Sequence, residues 1–283
     1  MFGFLNIYKP QGKTSHDVVA ILRRITKIKQ IGHTGTLDPF AEGVLPICIG
    51  KATRLIEYLE DNKAYIGTVQ FGKSTTTYDI EGEGVNFSDK KITLNDLETI
   101  LPLFRGEIEQ LPPIYSAIKV NGKKLYEYAR KGEEVEIKPR GVNIYKLEVV
   151  SFNDENQTAE LLIECSKGTY IRSIANDIGE KLDCYGHLTK LIRIKAGKFE
   201  LDKTIKLEEI ESQEQVQQNL INPIEYLPYP KYELDEAEKE KVSHGMSINI
   251  NKENGILVLT KNQEIIAISQ VENKKAKTLK VFI

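Results

Sequence analysis

The sequence predicts an α+β fold of about two domains. Helix-like and strand-like segments follow one another without the regular alternation of a parallel α/β sheet. The chain has 283 residues, more than one average domain. Hydrophobic residues make up 40% and charged residues 28%, as in an ordinary globular protein. This composition excludes a disordered chain, a collagen-like chain and a small disulfide-stabilised scaffold.

Three helices are predicted from capping residues and apolar spacing. Thr14 to Asp17 precede apolar residues at helical intervals up to Ile25. Residues 93–104 open with a Thr93/Asp96 pair that resembles a capping box. A third helix is expected over Ser173–Leu182.

Three strands are predicted in the same region, and one loop. Residues 64–71 are β-rich and partly alternating, and residues 142–152 and 158–166 are expected to form a strand pair. Residues 31–43 contain three glycines and a proline, which predict a loop.

A domain boundary is expected near residue 229. A polar segment leads to three prolines around it, at positions 223, 228 and 230, and beyond it we expect one helix over 235–244, closed by Gly245. Four short strands are expected there, over 247–250, 256–260, 264–271 and 278–283. The chain therefore divides into residues 1–228 and 229–283, and the second part is small enough to need docking on the first.

Net charge and cysteine content limit the function classes. The net charge of -2 excludes a bulk positive field as the basis of nucleic-acid binding. Cations are nevertheless concentrated in residues 9–29, 117–131 and 187–199, which form either one basic surface or three separate solvated faces. The three cysteines, Cys48, Cys165 and Cys184, match no metal spacing and suggest a reducing compartment. With no leader-like start and no long apolar run, we expect a cytoplasmic protein without a membrane segment.

Asp38 is the candidate reactive residue of a glycine-rich segment over residues 32–50. A carboxylate held between tight turns and open to substrate suits a nucleophile or a general base. The Asp38-Pro39 pair also suits a helix N-cap followed by a proline in the first turn, and the two interpretations are compatible. The four histidines show no metal-ligand spacing, so no metal is expected.

Five sequence blocks in a fixed order resemble one enzyme family. They are KPQGKTS (9–15), GHTGTLDPFAEGVLPICIG (32–50), KAYIGTVQFG (63–72), SAIKVNGKKLYEYARKG (116–132) and CSKGTYIRSIANDIGEKL (165–182). Together they resemble the TruB family of bacterial tRNA pseudouridine-55 synthases over about residues 3–200. The resemblance implies an isomerase that converts a T-loop uridine of tRNA to pseudouridine without cofactor or metal. It also implies a mixed, mainly antiparallel core sheet and a small C-terminal PUA-like β domain.

The resemblance also implies roles for individual residues. Asp38 matches the catalytic nucleophile, which attacks either C6 of the base or C1′ of the ribose, and Arg172 matches the arginine that holds it ionised. Tyr65 matches the tyrosine that stacks on the flipped base and moves a proton, and Tyr170 matches a second base-contacting tyrosine. His33 matches the histidine that fills the gap left in the T-loop.

Further expectations concern RNA contacts and partners. Leu191 matches an apolar residue of the uracil pocket, and residues 113–141 match an insertion that closes over the RNA. Its basic residues are expected to contact RNA phosphates: Lys119, Lys123, Lys124, Arg130 and Lys131. We expect a monomer that binds the T-arm of tRNA without an obligate protein partner, and that assists tRNA folding besides catalysis. A non-catalytic RNA-binding protein and a synthase for another RNA are the competing interpretations.

Overall fold

A ten-stranded mixed sheet forms the centre of the computed structural model, which describes residues 1–283. The strands of the chain are β1 (Gly3–Lys9), β2 (Ile31–His33), β3 (Glu42–Ile49), β4 (Lys63–Phe71), β5 (Lys73–Thr75), β6 (Gly84–Phe87), β7 (Gly106–Gln110), β8 (Lys119–Val120), β9 (Lys123–Lys124), β10 (Arg140–Asn153), β11 (Thr158–Cys165), β12 (Gly186–Ala196), β13 (Phe199–Glu200), β14 (Ile205–Lys206), β15 (Lys231–Glu233), β16 (Ile248–Asn249), β17 (Gly255–Lys261), β18 (Glu264–Glu272) and β19 (Lys275–Val281). The α-helices are α1 (Ser15–Thr26), α2 (Leu94–Ile100), α3 (Leu125–Ala129), α4 (Ile171–Lys181), α5 (Gln213–Gln218) and α6 (Glu236–Ser243).

The central sheet has the order β14-β1-β3-β12-β4-β11-β10-β7, with β2 added beside β3 and β13 beside β12. Two pairs are parallel, β1 with β14 and β3 with β12, and the others are antiparallel. The predicted α+β class with a mixed, mainly antiparallel sheet is confirmed. The strands expected over 64–71, 142–152 and 158–166 are β4, β10 and β11.

Strands β1, β3 and β12 were not predicted from the sequence. In β1 and β3, successive residues pack against opposite layers: Leu5 and Leu45 face helix α1, whereas Phe4 and Val44 face the C-terminal sheet. A strand buried on both faces is apolar throughout and shows no alternation. The predicted loop over 31–43 was wrong at its ends, because residues 31–33 form β2 and β3 begins at residue 42.

The predicted helix starts are confirmed by their capping geometry. The Thr14 hydroxyl accepts a hydrogen bond from the Asp17 N–H at 3.0 Å, and the Asp17 carboxylate accepts one from the Thr14 N–H at 2.8 Å. Thr93 and Asp96 form the same reciprocal pair at the start of α2. After Ile100 the helix tightens to a 3-10 turn that contains Pro102, whose missing N–H suits a helix start. The expected third helix is α4, which begins two residues before Ser173, ends one residue before Leu182, and packs on β12 and β4.

A second, five-stranded sheet is formed by residues 231–281 in the order β15-β17-β18-β19-β16. Phe4, Phe199, Val258, Ile268 and Phe282 belong to one buried cluster that joins it to the central sheet. The three cysteines are buried free thiols. No helix is long and apolar enough to cross a membrane.

Candidate active site

Residues 34–41 form the loop that carries Asp38 between β2 and β3, and we name it the Asp38 loop. Its first half is held by Arg193 of β12, which is fully buried. The guanidinium donates hydrogen bonds to the carbonyls of Gly35 at 3.1 Å, Thr36 at 3.3 Å and Val44 at 2.7 Å. Arg193 pairs in register with Gly43 of β3, where a Cβ would lie 2.4 Å from the Arg193 carbonyl oxygen. The close approach of these strands therefore requires glycine at position 43.

The second half of the Asp38 loop is held by residues at the start of the chain. Buried Ser15 donates its hydroxyl to the Leu37 carbonyl at 3.1 Å and accepts the Leu37 N–H at 2.8 Å. The Pro39 carbonyl accepts hydrogen bonds from the Gly12 N–H and from Lys9 Nζ. With its carbonyls held from both sides, the loop presents its carboxylate in one orientation, as a reactive group requires.

Asp38 does not cap a helix, so the N-cap interpretation was wrong. Its backbone carbonyl accepts the Ala41 N–H in a single turn at Pro39 and Phe40, and β3 follows directly. The β3 pairing prevents the chain from continuing into a helix.

Arg172, the second residue of α4, holds the Asp38 carboxylate from below. Its Nε lies 2.9 Å from Asp38 Oδ2, and its Nη2 donates to Asp38 Oδ1 at 3.3 Å. Nη1 donates to Asp79 Oδ2 and to the Thr77 carbonyl, both at 3.2 Å, and Nη2 donates to the Tyr115 carbonyl at 3.1 Å. Nη1 and Nη2 thus donate four hydrogen bonds between them, and Nε adds an ion-pair contact. The side chain is only 6% exposed, so Arg172 is a fixed internal cation and not a surface arginine.

Asp79 is the second carboxylate on this guanidinium, and sequence reasoning gave it no site role. It is buried, and its Oδ1 accepts hydrogen bonds from the Thr77 hydroxyl at 2.5 Å and the Glu81 N–H at 3.0 Å. A Cβ on Gly82 would lie 2.4 Å from the Thr77 hydroxyl oxygen, so the turn also needs glycine there. The turn over residues 77–82 therefore fixes the far side of Arg172.

The protonation of Asp38 reflects one cation shared by two acids. Removal from solvent raises the pKa of the Asp38 carboxyl above its ordinary value, and the charge of Asp79 raises it further. Arg172 and Lys9 oppose both effects by favouring the carboxylate. Burial lowers the pKa of Lys9 itself to about 8.

Five of the six base-contacting or catalytic residues expected from the resemblance line a single cavity of about 630 Å³: Asp38, Tyr65, Tyr170, Arg172 and Leu191. This volume suits one nucleotide. Tyr65 lies opposite Arg193 in the β4–β12 register, and burial raises the pKa of its phenol to about 12. The Tyr65 hydroxyl is therefore protonated at neutral pH and available as a donor. Burial also raises the pKa of the half-buried Tyr170.

His33 lies at the end of β2, outside the cavity lining and next to Thr34, which does line it. Its Nδ1 is buried without a hydrogen-bond partner. Burial and the charge of Arg193 lower the pKa of the imidazole, so the ring is neutral at pH 7.

The segment expected to be an insertion covers one side of the cavity. Tyr115, Ser116, Tyr126 and Arg130 contribute to the lining, and the Arg130 guanidinium lies 5.3 Å from the Tyr126 ring centre. The other four predicted phosphate contacts lie on the same segment but outside the lining: Lys119, Lys123, Lys124 and Lys131. Lys123 is 3.3 Å from Glu133, so part of its charge is neutralised.

Two cations of the basic stretches do not contribute to a basic surface. Lys9 and Arg193 are fully buried and serve the Asp38 loop, so they present no charge to solvent. Leu191 and Arg193 are two residues apart on β12 and therefore lie on the same face of the strand. Because Leu191 was expected in the pocket, this spacing could have indicated that Arg193 also lies near the site. No group of three or more metal-ligating side chains is present.

Two family profiles match the chain. Residues 23–171 match the N-terminal domain of the TruB family of pseudouridylate synthases, and residues 172–227 match the C-terminal domain of tRNA pseudouridylate synthase B. Relatives named tRNA pseudouridine synthase B are similar over nearly their full length. The protein of Caldanaerobacter subterraneus is 45% identical, with 99% of each chain covered. That of Geobacillus thermodenitrificans is 43% identical, with 95% of this chain and 94% of the relative covered.

Two solved structures with the same fold come from H/ACA ribonucleoprotein complexes. One chain comes from an H/ACA particle bound to a substrate RNA that contains 2′-deoxyuridine. It is 23% identical with a TM-score of 0.72, and the match covers 100% of this chain and 85% of that chain. A chain of an archaeal box H/ACA complex is 22% identical with a TM-score of 0.71, and the match covers 99% of this chain and 86% of that chain. At this identity the likeness shows the fold alone.

Proposed function

The chain belongs to the TruB family of pseudouridylate synthases, and on this premise we propose that it converts the uridine at position 55 of the tRNA T-loop to pseudouridine. The observation that carries the proposal is the Asp38 carboxylate in a nucleotide-sized cavity, where both of its oxygens contact the Arg172 guanidinium. The isomerase acts on tRNA, as its 42–45% identical relatives do by name.

The reaction exchanges one bond of the uracil for another. The N1–C1′ glycosidic bond breaks, the uracil turns within the cavity, and C5 bonds to C1′. The C5 proton then passes to solvent, and N1 takes up a proton. Asp38 acts as nucleophile, on C6 of the base or on C1′ of the ribose, and is released when the C–C bond forms. Attack at C1′ would parallel the carboxylate nucleophile of retaining glycosidases.

Each remaining cavity residue has a role in this proposal. Arg172 keeps Asp38 ionised and oriented, since a bidentate guanidinium favours the carboxylate form. Tyr65 stacks on the flipped uracil and donates its phenolic proton, and Tyr170 and Leu191 enclose the ring. Stacking on an aromatic side chain contributes about 1–3 kcal/mol per base, enough to offset much of the cost of unstacking.

Contacts outside the cavity are proposed for the rest of the T-loop. His33 occupies the space left when the uridine flips out, and its half-buried, neutral ring suits this place among stacked bases. The insertion residues Lys119, Lys123, Lys124, Arg130 and Lys131 contact phosphates. We propose residues 1–228 as the catalytic domain and 229–283 as a PUA-like domain, a division supported by the separate second sheet. The protein acts in the cytoplasm as a monomer.

A T-arm stem-loop RNA labelled with tritium at C5 of position 55 tests the proposal, because isomerisation must expel that hydrogen. We expect release by the unaltered protein, none by Asp38→Asn, and retained RNA binding by that variant. Tight binding without release from any T-arm RNA would leave only an RNA-binding protein. Tritium release from ribosomal RNA but not from a T-arm would indicate another RNA substrate.

Folding assistance is a separate proposal, and Asp38→Asn also tests it. That variant should still accelerate the refolding of tRNA, because it keeps the binding cavity. Refolding at the uncatalysed rate with both proteins would contradict it.

A further inference from the structure

One wall of the cavity carries positive charge that the protein does not neutralise. Lys63 lies two residues before Tyr65 on β4 and lines the cavity. Its Nζ donates to the Asp61 carbonyl at 3.0 Å, but no carboxylate lies within salt-bridge distance. The Asp61 carboxylate is instead 2.7 Å from Lys167 Nζ.

Arg193 adds a second unpaired cation behind Lys63. It is fully buried, and its guanidinium donates to three carbonyl oxygens and forms no salt bridge with a carboxylate. The point where a Cβ of Gly35 would stand lies 3.9 Å from Lys63 Nζ and 3.7 Å from Arg193 Nη1. The two cationic groups therefore approach each other across Gly35. Burial and the Arg193 charge lower the pKa of Lys63, as expected of an ammonium without a counterion.

Two partly desolvated cations without an acid are unfavourable in the free protein, and an anion that enters the cavity relieves this cost. The absence of a side chain at Gly35 keeps the space between them open. A Cβ there would come within 3.3 Å of Lys63 Cε. The carboxylates of Asp38 and Asp79 also line the cavity and repel an anion, so an anion that enters is directed to Lys63.

We propose that Lys63 binds a phosphodiester of the substrate RNA next to the nucleotide that enters the cavity, with Arg193 supporting it electrostatically. This inference rests on the proposed function, because that function makes RNA the substrate. A ribonucleotide has an acidic phosphate on one side and an uncharged base on the other. Binding of the phosphate at Lys63 leaves the base to lie toward Asp38 and Tyr65. The contact thereby positions the nucleotide without reading its sequence.

The test compares Lys63→Gln, Lys63→Arg and a charge-matched control, Lys203→Gln, in T-arm stem-loop binding at several salt concentrations. Lys203 lies outside the cavity and pairs with Glu200 at 2.7 Å. Its substitution therefore removes one positive charge from the protein without changing the charge of the cavity. Lys63→Gln should weaken binding about tenfold and reduce the slope of log K against log salt by about 0.7–0.9, the loss of one phosphate contact. Lys63→Arg should keep most of the affinity and most of the salt slope of the unaltered protein. Lys203→Gln should change neither the affinity nor the slope.

A second arm identifies the phosphate directly. T-arm RNAs are prepared with a single uncharged methylphosphonate at each linkage near position 55. At one of these linkages, the methylphosphonate should weaken binding to the unaltered protein as much as Lys63→Gln does. The same RNA should bind the Lys63→Gln variant no more weakly than unmodified RNA does. An unchanged affinity and slope in Lys63→Gln, or additive losses at every linkage, would overturn the inference. Tritium release by the unaltered protein on the same RNA tells this failure apart from failure of the proposed function.

Discussion

Replacing Asp79 with asparagine removes one of the two charges on the Arg172 guanidinium and keeps the shape of the side chain. At the observed 3.2 Å, the attraction between Asp79 and Arg172 is about 5 kcal/mol before desolvation costs, at an effective dielectric constant of about 20. The same charge raises the pKa of Asp38. A neighbouring negative charge disfavours the carboxylate form, so Asp79→Asn should lower the Asp38 pKa. The variant should also slow turnover by up to about a hundredfold, since Arg172 loses one of its supports.

The assay is single-turnover tritium release from T-arm RNA across the acid pH range. If ionised Asp38 is required, the rate falls as pH drops through the Asp38 pKa. This acid limb of the pH–rate profile should move to lower pH in Asp79→Asn. Thr77→Val is the matched control, because it removes the 2.5 Å hydrogen bond to Asp79 and leaves every charge in place. The control should lower the rate without moving the limb. A limb that stays in place in Asp79→Asn, or that moves to higher pH, would refute the shared-cation account.

Three further predictions concern single residues. Asp38→Asn should raise the free energy of unfolding at pH 7, because the raised pKa means that the half-buried carboxylate costs stability above its unfolded pKa of 3.8. Urea titrations should show this gain shrinking as pH falls through the folded and then the unfolded value, and a loss at pH 7 would contradict it. Gly43→Ala should destabilise the fold by at least about 2 kcal/mol, since position 43 has a φ of 104° and faces the Arg193 backbone; an unchanged melting temperature would count against the close strand contact. Tyr65→Phe keeps the ring and loses the phenol, so kcat should fall about a hundredfold or more while KM stays nearly constant, and a variant with full kcat would exclude Tyr65 as proton donor.

Local patterns in the sequence predicted the elements that depend on local chemistry. The caps at Thr14 and Thr93 form hydrogen bonds within a single turn, so their residues suffice to place helices α1 and α2. Strands β4, β10 and β11 show enough alternation to be recognised. Resemblance between sequence blocks indicated that Asp38 and Arg172 act together, although they are far apart along the chain.

Features that depend on distant strands could not be predicted in this way. Arg193 looked like one more surface cation, and only the parallel pairing of β12 with β3 places it beneath the Asp38 loop. Asp79 belongs to a turn whose position is set by contact with Arg172. In both cases the function of a charge depends on which partners the fold brings to it.

The measurement that tests the central claim most directly is tritium release from T-arm RNA labelled at C5 of the target uridine. It compares the unaltered protein with Asp38→Asn, and the RNA with one that carries cytidine at position 55. The account predicts tritium release only when the unaltered protein acts on RNA with uridine at position 55. Asp38→Asn should still bind that RNA. Release by Asp38→Asn at the unaltered rate would contradict the role of this carboxylate as nucleophile.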